Sequence, residues 1–276
     1  LRQLRPDLVI GMGGYVSGPA GLAAWRQGVP LVIHEQNAVM GSTNRTLGRL
    51  ATRIFLTFPE TEGNPAPQKS IWSGNPVRPE FIGTDDIPRP ARPFTVLIMG
   101  GSQGARQLNL QMLAALPFLA ELRSELQIIH LTGAADYNRV EAAYRAAGFP
   151  AEIYSFSPRV AEFMARAHLV ICRAGASTLA ELLACGRVGL LVPYPYATNR
   201  HQDKNAQYLV AAGAAFQVPD QELTGEKIAA MIKQSIAAPQ ELLAMEERCR
   251  RLNRPQAAGM IVDECLKLLA ASGGKA

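Results

Sequence analysis

Short apolar runs alternate with helix-like stretches along most of the chain. Runs such as Leu8–Ile10, Leu31–Ile33 and Ile54–Leu56 contain no alternating polar residues, which is typical of strands buried on both faces. Glycine-rich or polar residues follow each of the first two runs, and helices are predicted over residues 19–27 and 43–51. Strands that alternate with helices predict βαβ units and a parallel sheet.

A proline-rich segment, residues 84–93, divides this pattern in two. Its three prolines cannot continue a helix or a central strand, so the segment is predicted to be an extended connector just after a domain boundary near Pro76. The alternation then resumes, with strands predicted over residues 94–99, 127–131, 152–156, 169–172 and 188–192. Helices are predicted over residues 105–119, 134–147, 177–185 and, with breaks near Pro239 and Pro255, 226–271. The sequence therefore predicts two α/β sheets.

Composition narrows the class of protein. The 276 residues are 48% hydrophobic, and 24 Gly with 19 Pro are too few for a collagen-like or disordered chain. No stretch approaches the roughly 18 apolar residues of a membrane-spanning helix. A net charge of +5 favours phosphate-bearing partners or an anionic membrane surface, but the basic residues are scattered, so no nucleic-acid partner is expected. The four cysteines lack zinc-ligand or disulfide-framework spacing, which indicates reduced thiols and the cytoplasm.

Two glycine-rich loops follow predicted strands, one in each half. Gly11–Pro19 and Gly100–Arg106 would let backbone N–H groups approach an anion at the positive end of the next helix, although tight turns would have the same composition. Neither loop has the Lys-Ser/Thr pair of a Walker motif, and neither is a regular G-x-G-x-x-G motif. A dinucleotide site stays open as an alternative because Glu35 lies near the expected position of a ribose ligand.

Two further strand ends in the second half carry polar residues. The turn Arg173–Glu181 opens a helix with small residues, and Glu181 could accept hydrogen bonds from a ribose, although a capped helix with a solvated carboxylate is the alternative. The run Pro193–Asn205 is rich in polar side chains that suit a hydroxyl-bearing ligand such as a sugar. A solvated loop leading into a helix is the alternative there.

Histidines are candidates for acid–base chemistry. His34 and Glu35 end a strand, and either could serve as a general base. His130 lies inside a predicted strand and His168 just before one, so both are expected to be structural.

Taken together, these segments resemble a known family. The matching residues are Gly11–Pro19, His34–Asn37, Gly74–Arg78, Gly100–Arg106, Arg173–Glu181 and the polar run to Asn205. They are similar to the MurG family of bacterial glycosyltransferases, which complete lipid II. The resemblance implies a GT-B fold: two Rossmann-like parallel-sheet domains facing a cleft, the first incomplete at its N-terminus. Residues 1–76, with helix 255–276 packed back on them, would form the acceptor-side domain, and residues 77–254 the domain that binds UDP-GlcNAc.

The resemblance also implies a reaction. GlcNAc would move from UDP-GlcNAc to the C4 hydroxyl of MurNAc in lipid I, with inversion at the anomeric carbon and with no cofactor or catalytic metal. The protein would act in peptidoglycan synthesis at the cytoplasmic face of the bacterial plasma membrane, in peripheral contact with anionic lipid.

Site residues carry over by position. His34 and Glu35 would support the acceptor hydroxyl, and Gly13, Gly14 and Tyr15 would face lipid I. The expected donor-binding residues are Asn37, Arg78, Ser102, Gln103, Ser157, Arg173, Ala176, Thr178, Glu181, Gln202 and Asn205.

The sequence departs from the family pattern in places. Val188 stands where proline is usual, and His201 where glutamine is common. An earlier glycine loop of the family, with a His often proposed as the base, would precede residue 1, so this chain is expected to bind UDP-GlcNAc but to turn over poorly. The alternatives are a non-catalytic nucleotide-sugar-binding module, another GT-B enzyme or an epimerase that uses UDP-GlcNAc, and a pyridine-nucleotide oxidoreductase.

Overall fold

The computed structural model describes residues 3–84, 87, 90–101 and 103–273. The chain forms two compact units, one of residues 1–77 with 254–276 and one of residues 78–253. Each unit is built on a parallel sheet with its own hydrophobic core.

The first unit has a four-stranded sheet of order β1-β2-β3-β4 in the part of the chain described. Its strands are β1 (Val9–Gly11), β2 (Leu31–Glu35), β3 (Arg53–Leu56) and β4 (Ser70–Trp72), and its helices are α1 (Gly14–Arg26), α2 (Ser42–Gly48) and α10 (Ala257–Gly273). All five residues of β2 are buried, as the absence of polar alternation predicts. One core lies between the sheet and α2, and a smaller cluster joins the other face to α10.

The second unit has six parallel strands in the order β10-β9-β8-β5-β6-β7. The strands are β5 (Phe94–Met99), β6 (Leu126–Leu131), β7 (Ala151–Tyr154), β8 (Leu169–Cys172), β9 (Val188–Leu191) and β10 (Ala215–Gln217). The helices are α3 (Arg106–Ala115), α4 (Tyr137–Ala147), α5 (Val160–Arg166), α6 (Ala176–Ala184), α7 (His201–Ala211), α8 (Gly225–Ala237) and α9 (Pro239–Leu252). The chain reverses its direction across the sheet between β5 and β8. In such a sheet, ligands bind beyond the carboxyl ends of the strands at this switch point.

Some predicted elements differ from the observed ones. Helix α1 begins at Gly14 rather than Pro19, so Gly14–Gly18 form its first turns and Pro19 lies inside the helix. The helix predicted over residues 105–119 ends at Ala115, and a 3₁₀ segment with Pro117 in its first turn follows, since proline lacks the N–H that an α-helix needs there. Strands β4 and β10 were not predicted; each has three residues.

Cys172, Cys185, Cys249 and Cys265 are free and buried. No helix among the described residues is both long and apolar enough to cross a bilayer.

Candidate functional site

Two adjoining cavities lie at the carboxyl ends of the strands of the second unit. The smaller, about 270 Å³, is lined by residues that include Arg78, Ser157 and Glu181. The larger, about 620 Å³, is lined by the loop after β5 and by residues that include Arg173 and Gln202. Met99, Gly101 and Thr178 line both cavities, so the two form one continuous crevice beside the switch point.

The larger cavity faces the N-termini of three helices. Arg106 is the first residue of α3, Gly175 is the N-cap of α6, and Gln202 lies in the first turn of α7; all three line the cavity. Unpaired backbone N–H groups and the positive end of the helix dipole favour an anion at each of these ends. The Arg106 guanidinium adds a full positive charge. This end of the crevice is therefore suited to a phosphate group.

A carboxylate lies at the smaller cavity. Glu181 Oε1 accepts a hydrogen bond from Arg78 Nη2 at 3.2 Å, and the Arg78 guanidinium also pairs with Glu80 and lies 4.9 Å from the centroid of the Phe81 ring. Burial raises the pKa of Glu181, and the charge and hydrogen bond of Arg78 oppose that shift. A half-buried carboxylate at a cavity wall can accept hydrogen bonds from two adjacent ligand hydroxyls.

Gln202 joins two loops and faces the larger cavity. Its side-chain oxygen accepts hydrogen bonds from the backbone N–H groups of Ala174 (3.2 Å) and Tyr194 (2.9 Å). Because two donors meet this atom, it is the carbonyl oxygen, and the amide nitrogen is oriented away from them. Within the described part of the chain, that nitrogen makes no hydrogen bond of its own, so Gln202 can donate to a ligand.

Two expected donor-binding residues have mainly supporting contacts. Arg173 Nη1 donates to the carbonyl oxygens of Val192 (3.1 Å) and Pro193 (3.3 Å) and pairs with Asp220, so it fixes the loop after β9 at the cavity wall. Asn205 is fully buried and does not line the cavity; its Nδ2 donates to Ala174 O at 3.2 Å. Asn205 thus supports the turn before α6 rather than presenting its amide to the crevice.

The remaining expected donor-binding residues fall in different places. Gln103 lines the larger cavity, Ala176 is the first residue of α6, and Ser157 is 5% exposed at the smaller cavity, where its Oγ accepts a hydrogen bond from Arg159 N. Ser102 lies outside the described residues, between the cavity-lining Gly101 and Gln103. Asn37 belongs to the first unit.

In the first unit, Glu35 is buried and its carboxylate is surrounded by donors. Its two oxygens accept hydrogen bonds from Asn37 N (3.0 Å), Asn37 Nδ2 (3.3 Å), Gly41 N (3.0 Å) and Asn44 Nδ2 (2.9 Å). These contacts fix the loop between β2 and α2. A base must reach the proton that it removes, and a carboxylate engaged in this way is a positioning group, so the geometry does not support the expectation that Glu35 is the base.

His34 is also buried, with both ring nitrogens engaged. Nε2 lies 3.1 Å from Gly74 O, and Nδ1 lies 3.1 Å from Gln36 Nε2. Because a carbonyl can only accept, Nε2 carries the proton and Nδ1 accepts from Gln36. Burial lowers the pKa of His34, which the Gly74 hydrogen bond and Glu35 oppose. His34 therefore connects loops, and the geometry does not support its expected role as a catalytic group.

The glycine loop after β1 presents an exposed surface. Gly13 and Gly14 both have positive φ, 82° and 74°, and Tyr15 is 96% exposed at the start of α1. These residues are available for contact with a partner molecule.

Some cavity residues had no predicted role. Phe156, 68% exposed, lies at the smaller cavity, and Tyr194 and Tyr196 pack edge-to-face at the larger one. Phe156 is the last residue of the strand predicted over residues 152–156, and Tyr194 and Tyr196 belong to the run Pro193–Asn205, in which only the polar side chains were singled out.

Comparison with known proteins identifies the family. The C-terminal domain of glycosyltransferase family 28 matches residues 95–259, and the N-terminal domain of the same family matches residues 1–56. The chain belongs to glycosyltransferase family 28. Its GT-B architecture of two parallel-sheet α/β domains, expected from the resemblance, is confirmed.

Similar family 28 proteins carry one name. A relative from Anaeromyxobacter dehalogenans (strain 2CP-C) is 45% identical over 98% of this chain and 70% of its own length. One from Myxococcus xanthus (strain DK1622) is 42% identical over 99% of this chain and 72% of its own length. Both are UDP-N-acetylglucosamine–N-acetylmuramyl-(pentapeptide) pyrophosphoryl-undecaprenol N-acetylglucosamine transferases.

Two solved structures are similar to this chain at different levels of identity. The crystal structure of Acinetobacter baumannii MurG is 33% identical, with a TM-score of 0.81 over 96% of this chain and 75% of that one. A UDP-GlcNAc 2-epimerase from Neisseria meningitidis, 15% identical with a TM-score of 0.69 over 97% of this chain and 78% of that one, shares the fold.

Proposed function

We propose that this protein transfers GlcNAc from UDP-GlcNAc to lipid I in peptidoglycan synthesis, and that the crevice of residues 78–253 holds the donor. The observation that carries the proposal is the pair of continuous cavities, with a carboxylate at one end and three helix N-termini at the other. A nucleotide sugar has the same order of chemical groups: a ribose diol, a diphosphate and a hexose. The names of the 41–45% identical relatives support this choice of substrates.

Each part of the donor has a matching group in the crevice. The uracil would lie near Ser157, and Glu181 would accept hydrogen bonds from the ribose hydroxyls. The diphosphate would lie against the loop 100–106, which includes Ser102 and Gln103, and against the N-terminus of α6 at Ala176. The hexose would lie beside Thr178 and the Gln202 amide, while Arg173 and Asn205 hold the surrounding loops.

The chemistry follows from charge stabilisation. The acceptor hydroxyl attacks the anomeric carbon from the face opposite the diphosphate and gives up its proton to a base, while the bond to the diphosphate breaks and the configuration inverts. Negative charge then grows on the departing UDP. The helix N-termini at the larger cavity would stabilise this charge without reorganising, which is the main way that such a site lowers a barrier. Arg106 and Arg78 add positive charge nearby.

The acceptor would contact the first unit. Gly13, Gly14 and Tyr15 would face lipid I. Exposed apolar side chains on this unit, which include Met12, Val16 and Trp25, support peripheral contact with a lipid surface. The net charge of +5 favours the anionic cytoplasmic leaflet.

A titration tests donor binding. Calorimetry with UDP-GlcNAc and UDP-GalNAc should give at least about tenfold tighter binding of UDP-GlcNAc, because a polar group placed for one hydroxyl loses its hydrogen bond to the epimer. Gln202→Leu should reduce that ratio about tenfold, the value of one hydrogen bond of this kind. Gln207→Leu, an exposed position on the same helix, serves as the control and should leave the ratio unchanged.

Failure of the protein to bind either UDP-sugar would overturn the proposal. Transfer of radiolabelled GlcNAc to lipid I then tests the reaction itself, in parallel with release of free GlcNAc by water.

A further inference from the structure

The second unit contains a series of buried, hydrogen-bonded polar side chains that play no part in the proposed contacts with the nucleotide sugar. Tyr144, His130 and Asn109 are each no more than 1% exposed and lie on α4, β6 and α3. The Tyr144 hydroxyl lies 2.9 Å from His130 Nδ1, and His130 Nε2 lies 3.0 Å from Asn109 Oδ1. Three elements are thus joined through side chains inside an otherwise apolar core.

The hydrogen bonds of Asn109 determine which atoms donate and which accept along this series. Asn109 Nδ2 donates to Thr132 O at 2.8 Å and to Asp136 Oδ2 at 2.9 Å, so the other amide atom of Asn109 is the oxygen. That oxygen accepts from His130 Nε2–H, and Nδ1 therefore accepts from the Tyr144 hydroxyl. Burial lowers the pKa of His130 to about 3, which keeps the ring neutral, as this arrangement requires.

At one end of this series of hydrogen bonds, Asn109 contacts the turn that packs against the loop after β5. The Thr132 carbonyl held by Asn109 begins the turn Thr132–Gly133 after β6. A Cβ atom added to Gly104 would lie 2.1 Å from Thr132 O, and one added to Gly133 would lie 2.4 Å from Gln103 O. Both glycines have positive φ, 76° and 77°. The loop after β5 and the turn after β6 are therefore packed backbone against backbone, and a shift of one moves the other.

We infer that Asn109 and His130, with Tyr144 behind them, are positioning residues that set the diphosphate-binding loop. Asn109 holds the Thr132 carbonyl, and the turn at Thr132–Gly133 packs against Gln103 and Gly104, which line the larger cavity. The inference rests on the proposed function, because it assigns the loop to the donor diphosphate. Small displacements of groups that bind charge have large effects on affinity and rate.

The experiment compares two ligands that differ only in the diphosphate. Uridine and UDP are titrated by calorimetry into the wild-type protein, Asn109→Ala and Tyr144→Phe. Asn109→Ala should weaken UDP binding at least tenfold and change uridine binding less than twofold. Tyr144→Phe is a milder change, at the residue of the series furthest from the loop after β5, and should weaken UDP binding two- to fivefold. Met112→Ala is the control, because Met112 is buried on α3 one turn beyond Asn109 and belongs to the apolar core.

The control should lower the melting temperature without changing the ratio of UDP to uridine affinity. An unchanged ratio in Asn109→Ala would overturn the inference, as would an equal loss for both ligands. Should Asn109→Ala fail to fold, the ratio in Tyr144→Phe decides in the same way. A wild-type protein that binds UDP no more tightly than uridine would instead overturn the proposed function, and the inference with it.

Discussion

The charged Glu181 carboxylate lowers the stability of the folded protein, although its proposed role depends on that charge. Burial raises the pKa of its carboxyl group despite the nearby Arg78 guanidinium, so the folded protein favours the protonated form more than the unfolded chain does. At neutral pH the charged carboxylate therefore lowers stability, and this loss disappears as the pH falls through the raised pKa. A group retained under such a penalty fits a functional role better than a structural one.

Glu181→Gln should therefore separate the two effects. At pH 7 the melting temperature should be no lower than that of the wild type, and the difference between the two proteins should shrink as the pH is lowered toward 4. UDP affinity should fall about ten- to a hundredfold, since hydrogen bonds to a charged group contribute about 1.5–3 kcal/mol. Calorimetry and thermal melts across pH measure both quantities. Unchanged UDP affinity would contradict the proposed ribose contact.

Among the elements, the loop between β2 and α2 depends on one carboxylate. Glu35 accepts four N–H groups from three residues, Asn37, Gly41 and Asn44, at distances of 2.9–3.3 Å. Glu35→Gln replaces one acceptor oxygen with a donor that faces other donors. We expect a loss of about 2–3 kcal/mol of unfolding free energy, the range for hydrogen bonds to charged and buried groups.

The measurement for this variant also separates support from catalysis. Denaturant unfolding should show the loss, whereas UDP affinity, assigned to the other unit, should stay within twofold. Glu60→Gln, at an exposed position, is the control and should change neither. A variant with full stability and selectively lost turnover would instead indicate that Glu35 is the base.

The sequence predicted elements best where burial on both faces leaves a continuous apolar run. Strands β5 and β8 were predicted with their observed bounds for this reason. Strands β4 and β10 are three residues long and lie at sheet edges, where Ser70, Trp72 and Gln217 remain partly exposed. Neighbouring strands, rather than a local pattern, define such strands.

The site was predictable in its location more than in its contacts. Parallel topology places every strand-end loop at one edge, which was enough to select the loops of the crevice. Arg78 and Glu181 form an ion pair although they are 103 positions apart in the sequence. His34 and Glu35, which are also polar residues at a strand end, have buried side chains instead. Residue type indicates which chemistry is possible, but the orientation of a side chain depends on tertiary packing.

At the scale of the whole molecule, the chain returns to its first unit after completing the second. Helix α10 follows the second unit in sequence, yet its Ile261 and Cys265 pack with Val32 of β2 and Phe55 of β3. Arg254, just before the helix, lies with its guanidinium 3.6 Å from the centroid of the Trp72 ring. The sheet of the first unit thus depends on residues more than 200 positions away, a contact that no local pattern could predict.

Substitutions on α10 should therefore affect the first unit. Ile261 is 8% exposed, and Ile261→Ala should lower the unfolding free energy by about 2–4 kcal/mol, because it removes buried methyl groups and leaves a cavity beside Phe55. Met260, 37% exposed, is the neighbouring control, and Met260→Ala should change stability by less than about 0.5 kcal/mol. Hydrogen exchange should show the lost protection in β2 and β3, while UDP affinity stays unchanged. Loss of protection in β5 and β8 instead would show that α10 stabilises the donor-binding unit.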